Sequence, residues 1–181
     1  MEIDIRALRP DDERSSFSSG DVDLDRFFRK YAGQNQFRLH VGTTYVASSA
    51  GSVVGYVTIA PGAIVIDRLP RREQQRLPAY PLPILRLARL AVATTHQRHG
   101  IGSRLVRFSL ELAREMAERF GCVGVVVDAQ PEAIGFYARL GFFELVVEAG
   151  ALLSRPEPRP MFLPIRSIPG PAQGREGDAR P

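Results

Sequence analysis

The chain has 181 residues, 44% hydrophobic and 24% charged, with one cysteine and no tryptophan, the composition of one ordinary domain that can bury roughly 70% of its unfolded surface without metal or disulfide staples. A lone Cys122 excludes a disulfide framework and a multi-cysteine zinc site, no apolar run approaches the roughly 20 residues that span a bilayer, and the acidic opening Met1-Glu2-Ile3-Asp4 is not a signal peptide, so the expected compartment is the cytoplasm. The 24 cations against 20 acids leave a net charge of +4, and all but Lys30 are arginine; a codon bias toward arginine and a use for planar, multi-donor cations in phosphate recognition both account for this.

Alternation of Ile3, Ile5 and Ala7 with charged residues predicts a first strand ending at Pro10. Leu24, Phe27, Phe28, Tyr31 and Ala32 recur at intervals of three and four, so residues 22–32 are expected to form an amphipathic helix behind an acidic cap, with the aromatics as core or dimer contacts. Thr43–Ser48 and Val53–Ala60 are β-rich runs separated by Ala50-Gly51-Ser52, a hairpin signal. Residues 67–83 form a basic, proline-flanked connection with Arg68, Arg71, Arg72 and Arg76 and room for one short helical turn.

Ile84–Val92 is a long apolar strand, followed by Gln97-Arg98-His99-Gly100-Ile101-Gly102 and then by Leu105, Phe108, Leu112 and Met116 on one face of a helix that Gly121 stops. Val123–Val127 reads as a buried strand. Pro131 opens a short helix carrying Ala133, Ile134, Phe136, Tyr137 and Leu140. Phe142–Val147 and Met161–Leu163 complete the strands. The proline- and glycine-rich end is expected to be a disordered tail over 167–181, leaving residues 1–166 as the domain. Asp128, after its strand, suits a helix-entry cap near Pro131 better than a site residue. His40, His96 and His99 make no defensible catalytic pair or metal site, and Cys122 reads as a small buried hydrophobe.

A Gly-x-Gly turn between a strand and a helix presents unpaired backbone N–H groups and a partial positive charge, a ready phosphate site. Ser103-Arg104 replaces the Lys-Ser/Thr of a P-loop, and Leu105 stands where the dinucleotide fingerprint needs a small residue. What remains, Gln-x-x-Gly-x-Gly after a long strand, resembles the acetyl-coenzyme A pyrophosphate loop of the GCN5-related N-acetyltransferases (GNAT), and Phe136-Tyr137 followed by Gly141-Phe142 resembles their second signature. Phe17, Gly20, Leu24-Asp25, Phe27, Val54-Gly55-Tyr56, Arg89-Leu90-Ala91-Val92, Val127-Asp128-Ala129 and Met161-Phe162-Leu163 together resemble the acetyltransferase toxins of type II toxin–antitoxin modules, with Ala88 and Ala93 departing from that pattern.

The resemblance implies an α/β (α+β) fold: a mixed, mostly antiparallel twisted sheet flanked by helices and splayed at the acetyl-CoA site. It implies that the backbone of Leu90, Ala91 and Val92 pairs with the pantetheine arm, that Gln97, Arg98, His99, Gly100, Ile101, Gly102 and Ser103 wrap the pyrophosphate, and that Tyr137 protonates the leaving thiolate. No metal is expected. The acceptor implied is the α-amine of an aminoacyl-tRNA, a group with a pKa of about 7.7 to 8.0 that needs no strong base; Arg71, Arg72, Arg76, Arg86 and Arg89 are the candidate tRNA contacts. The implied partners are a ribbon-helix-helix antitoxin, through it operator DNA, and a second copy in a homodimer. A general acetyltransferase of protein N-termini or small amines, and a repressor component acting chiefly through its partner and DNA, are the alternatives.

Overall fold

Asp21, with extended backbone, accepts the Asp23 and Leu24 N–H groups on its carboxylate at 2.9 and 3.0 Å and so starts α1 (Val22–Arg26). The helix widens into a π-helical turn at Phe27–Tyr31, where the Ala32 N–H reaches back to the Phe27 carbonyl, and continues as α2 (Ala32–Phe37). The helical run is therefore five residues longer than the apolar spacing of 22–32 predicts. Consecutive Phe27 and Phe28 are both buried, and Phe28 stacks on Tyr56 with centroids 4.4 Å apart and the rings 6° from parallel. The computed structural model describes residues 2–145 and 158–170.

β1 (Asp4–Ala7), β2 (Thr43–Ser49), β3 (Ser52–Ile64), β4 (Leu82–Val92), β5 (Gly124–Ala129), β6 (Phe143–Glu144) and β7 (Arg159–Pro164) form one sheet in the order β1-β2-β3-β4-β5-β7-β6. Every neighbouring pair is antiparallel except β4–β5. The β2–β3 hairpin turns on Ala50 and Gly51, both at positive φ (48° and 80°), as a two-residue turn matching the twist of its strands requires. β3 runs past the predicted Ala60 through Pro61 and Gly62, because beyond Ile59 it pairs only with β4 and a missing N–H breaks no second ladder.

α4 (Ile101–Arg119) buries Ile101, Leu105, Val106, Leu110 and Ala113 against one face of the sheet. The opposite face is covered over Val46, Tyr56 and Ala91 by α1 and the π-helical turn with Phe17. Beyond that, over Ile84, Val126 and Phe162, it is covered by Leu69 of the connection between β3 and β4. That connection holds a 3-10 turn at Ile66–Arg68 and α3 (Arg71–Gln74), and is pinned by an ion pair between the buried Glu73 and Arg166. A 3-10 turn at Pro131–Ala133 leads into α5 (Ile134–Arg139).

Three expectations change. β6 is confined to Phe143–Glu144 among the described residues, and Val146 and Val147 lie outside them. Asp128 caps no helix: Gln130 precedes the 3-10 turn, and the Asp128 carboxylate instead pairs with Arg86 on β4. The ordered domain continues past 166, since Ile168 packs into the core, 8% exposed, and the Arg114 guanidinium donates to the Pro169 carbonyl at 2.5 Å. Of the expected tail, residues 171–181 lie outside the described residues.

Gly124 tests this packing directly, because a Cβ there would sit 2.4 Å from the Phe162 ring and 2.5 Å from the Leu163 carbonyl oxygen. Neither ring nor strand backbone can yield cheaply, so Gly124→Ala is expected to cost about 1–3 kcal/mol and to lower the melting temperature by several degrees in a circular-dichroism scan.

Candidate functional site

The sheet opens in the middle of β4. β4 and β5 pair only at Leu85↔Val125, Arg86↔Val126 and Leu87↔Val127. Directly after Leu87 the β3–β4 register jumps from Ile59↔Leu87 to Thr58↔Arg89, leaving Ala88 as an unpaired bulge. A bulge bends its strand and increases local twist, and from Ala88 onward β4 keeps β3 as its only strand neighbour. The Ala93 N–H donates to Val54 on β3; by alternation along the strand, Leu90 and Val92 turn their N–H and C=O groups to the open side. Ala91 faces β3 with its backbone, so two of the three expected pairing residues present backbone to the opening.

The loop after β4 closes one end of this opening. Gln97 was expected to touch the ligand, but its side-chain amide donates to the Ser19 carbonyl at 2.8 Å and to the Val92 carbonyl at 3.1 Å. It thereby ties the loop to β4 and to the segment before α1, with further support from the Thr94 N–H on the Ser18 carbonyl. This long-range staple had no local signal, because Ser19 and Gln97 are 78 positions apart. Arg98 (φ 63°) and Gly100 (φ 78°) both hold left-handed backbone, a conformation that costs a non-glycine residue about 1–3 kcal/mol and clusters where backbone is aimed at a ligand. The His99 ring contacts the Gln97 carbonyl at 2.8 Å, so the ring serves the loop.

The first intrahelical bond of α4 runs from the Arg104 N–H to the Gly100 carbonyl, so the N–H groups of Ile101, Gly102 and Ser103 precede the ladder. No side chain caps them and no acidic residue stands in the first turn. Together with the helix dipole this is an anion cradle. A Cβ on Gly102 would lie 3.5 Å from Phe136 and 3.8 Å from Val92, which places the cradle, the open edge of β4 and α5 side by side. Arg104 turns away, donating to the Ile3 carbonyl at 3.0 Å.

α5 supplies Tyr137, 5% exposed and packed edge-on against Phe136 and Phe142 at centroid distances of 5.0 and 5.5 Å. Burial pushes its phenol well above the usual tyrosine value, so its hydroxyl stays protonated and keeps an O–H that can donate a hydrogen bond. Cys122 is buried, its thiol donates to the Gly124 carbonyl at 3.3 Å, and burial pushes its pKa up, so it is no nucleophile.

The candidate arginines divide. Arg71, Arg72 and Arg76 are exposed on the β3–β4 connection, and none of the ion pairs among the described residues uses them. Arg89 lies over the Phe27 ring, 4.1 Å from its centroid. Arg86 is held by Asp128 across the strand pair. Among the described residues no cluster of three or more His, Cys, Asp and Glu could hold a metal, and no helix is long and apolar enough to cross a membrane.

Residues 3–142 match the acetyltransferase (GNAT) family. The tRNA-acetylating toxin of Mycobacterium tuberculosis is 33% identical over 141 residues, 76% of this chain and 82% of that protein. Among solved structures, AtaT complexed with acetyl-methionyl-tRNAfMet superposes with a TM-score of 0.81 at 25% identity, covering 92% of this chain and 97% of that one. A tyrosine-to-phenylalanine mutant of AtaT, bound to acetyl-CoA and the C-terminus of the antitoxin AtaR, superposes with a TM-score of 0.74 at 23% identity over 92% and 95% of the two chains.

If Gln97 acts by holding the loop, Gln97→Ala is expected to weaken coenzyme A binding by about tenfold, the worth of one or two hydrogen bonds, in titration calorimetry, with the melting temperature little changed.

Proposed function

The chain belongs to the acetyltransferase (GNAT) family, and from that premise we propose that it transfers the acetyl group of acetyl-CoA to the α-amine of an aminoacyl-tRNA, as a toxin held in check by an antitoxin. The observation that carries the reading is the opening of the sheet after Leu87, bordered at once by the uncapped first turn of α4 and by α5, the helix that carries Tyr137. The relatives named above acetylate tRNA or hold acetylated tRNA.

The residues present fit acetyl-CoA. The free N–H groups of Ile101, Gly102 and Ser103 suit its pyrophosphate, with Arg98 beside them as an exposed cation. The outward N–H and C=O of Leu90 and the outward N–H of Val92, whose carbonyl the Gln97 amide takes, suit the amides of the pantetheine arm, in the manner of an added strand. Bound there, acetyl-CoA supplies an activated thioester. A free N–H of β4 polarises the acyl carbonyl, the neutral amine forms the new C–N bond as the C–S bond breaks, and the Tyr137 phenol delivers its proton to the departing sulfur. Tyr137 recovers a proton from solvent, and the amine releases one as the amide forms.

Arg71, Arg72 and Arg76, exposed and free of those ion pairs, are assigned to the tRNA backbone, while Arg86 and Arg89 are committed to Asp128 and Phe27. A ribbon-helix-helix antitoxin, operator DNA reached through it, a homodimer and a cytoplasmic location complete the proposal.

Incubation with acetyl-CoA and charged total tRNA, followed by mass analysis of released aminoacyl-adenosines, is expected to yield an N-acetylated species; its absence would favour another amine acceptor. Tyr137→Phe is expected to lower kcat by about a hundredfold or more with acetyl-CoA affinity unchanged, and retained kcat would remove Tyr137 from the chemistry. The double variant Arg71→Glu, Arg72→Glu is expected to abolish activity on tRNA while sparing coenzyme A binding, and the parent's tRNA affinity should fall steeply with salt.

A further inference from the structure

We propose that Asp128 is the carboxylate that receives the acceptor amine, and that Arg86 is its positioning residue; the proposal rests on the acetyl-transfer reading above. Arg86 belongs to the last rungs of the β4–β5 pairing, and Asp128 is the first residue of β5 beyond them. Their ion pair therefore spans the two strands where they part, next to the bulge at Ala88. By alternation Asp128 lies on the same face as Val126, the face that carries Arg86 and is opposite α4. Tyr137 packs with the α4-side core, so the carboxylate and the tyrosine lie on opposite sides of the sheet. The amine adds to one face of the acyl carbonyl and the thiolate is expelled from the tetrahedral adduct, so the group that takes the amine's proton and the group that serves the sulfur need not share one side of the sheet.

Both residues line a cavity of about 260 Å³ with Arg68, Ile64, Val126 and Leu145, a volume on the scale of one amino-acid side chain and below that of drug-sized pockets. The Asp128 side chain is 49% exposed, and only its Oδ2 is engaged among the described residues, which leaves Oδ1 to accept a hydrogen bond from an amine. The surrounding charge favours the neutral, nucleophilic amine. Arg68 and Arg86 line the cavity with the single carboxylate of Asp128. On the adjoining strands Arg159 is occupied by Glu144 at 2.9 Å, and Arg89 lies over Phe27. An isolated carboxylate would trap the ammonium form, whereas one paired with Arg86 beside Arg68 orients the amine and takes its proton without overstabilising its cation. In the balanced step the amine nitrogen forms the N–C bond and gives a proton to Asp128, the C–S bond breaks, and the sulfur takes the Tyr137 proton.

The test measures acetylation of charged tRNA and, separately, of amino-acid methyl esters by the parent, Asp128→Asn and Arg86→Lys between about pH 6.5 and pH 9, a range that brackets the titration of an α-amine. Asp128→Asn is expected to lose about a hundredfold in kcat/KM throughout this range, because the neutral amine reacts in both enzymes and what the variant lacks is the acceptor of its proton, with acetyl-CoA affinity and melting temperature held at parental values. Arg86→Lys, which leaves the carboxylate in place, is expected to show the same trend with a smaller loss. A deficit that disappears once the amine is fully neutral, a deficit matched by an equal loss of acetyl-CoA affinity, or no deficit, overturns the proposal. A parent that acetylates neither acceptor overturns the acetyl-transfer reading and the proposal with it, whereas a parent active on esters alone removes only the tRNA assignment.

Discussion

The bulge at Ala88 is the constraint on which the rest of the site depends. A parallel strand pair is stabilised rung by rung, and β4 and β5 make only three rungs before the extra residue turns β4 aside. Had the register run on, the backbone of Leu90 and Val92 would be spent on β5. Because it does not, a stretch of central strand with unspent polar groups lies at the heart of the sheet, an arrangement that sheets ordinarily avoid. The surroundings make it tolerable: β3 still pairs with β4 through Val92, and the Gln97 amide satisfies the Val92 carbonyl.

The loop after β4 extends the same logic. Arg98 and Gly100 hold left-handed backbone, and such strain at a non-glycine residue persists only where neighbours over-determine it. Here the neighbours are the Gln97 staple to Ser19 and Val92, the Thr94 bond to Ser18, and α4 itself, whose first turn is held close to β3 by the absence of a side chain at Gly55: a Cβ there would lie 3.2 Å from both Ile101 and Leu105. The cradle is thus rigid because the hydrophobic core fixes the helix that follows it.

Much of this was legible in the chain. The 3.6-residue spacing of Leu105, Phe108, Leu112 and Met116 located α4, and the glycines at 100 and 102 located its uncapped start, because both signals are local. The β-rich runs located six of the seven strands to within a few residues of their ends. Where local signals compete, boundaries moved: β3 continued through Pro61 once its second partner had ended, and the helix behind Asp21 continued past residue 32 because a π-helical turn let Phe27 and Phe28 both reach the core. Ile168 looked like part of a tail among prolines and glycines, yet its side chain had a place in the core.

The sequence by itself determined the family and the place of the glycine turn before α4 and of the aromatic pair on α5, since glycine spacing, helix starts and aromatic signatures act over a few residues. Only the tertiary structure decided what each polar group is committed to. Gln97 became a staple, Arg104 a tether to Ile3, and Asp128 the partner of Arg86 rather than a helix cap, each through a contact spanning 42 to 101 positions. The bulge that opens the sheet is likewise a mismatch between two strands that neither strand records alone. Such pairings follow from strand register and core packing, which are properties of the folded chain and have no local signature.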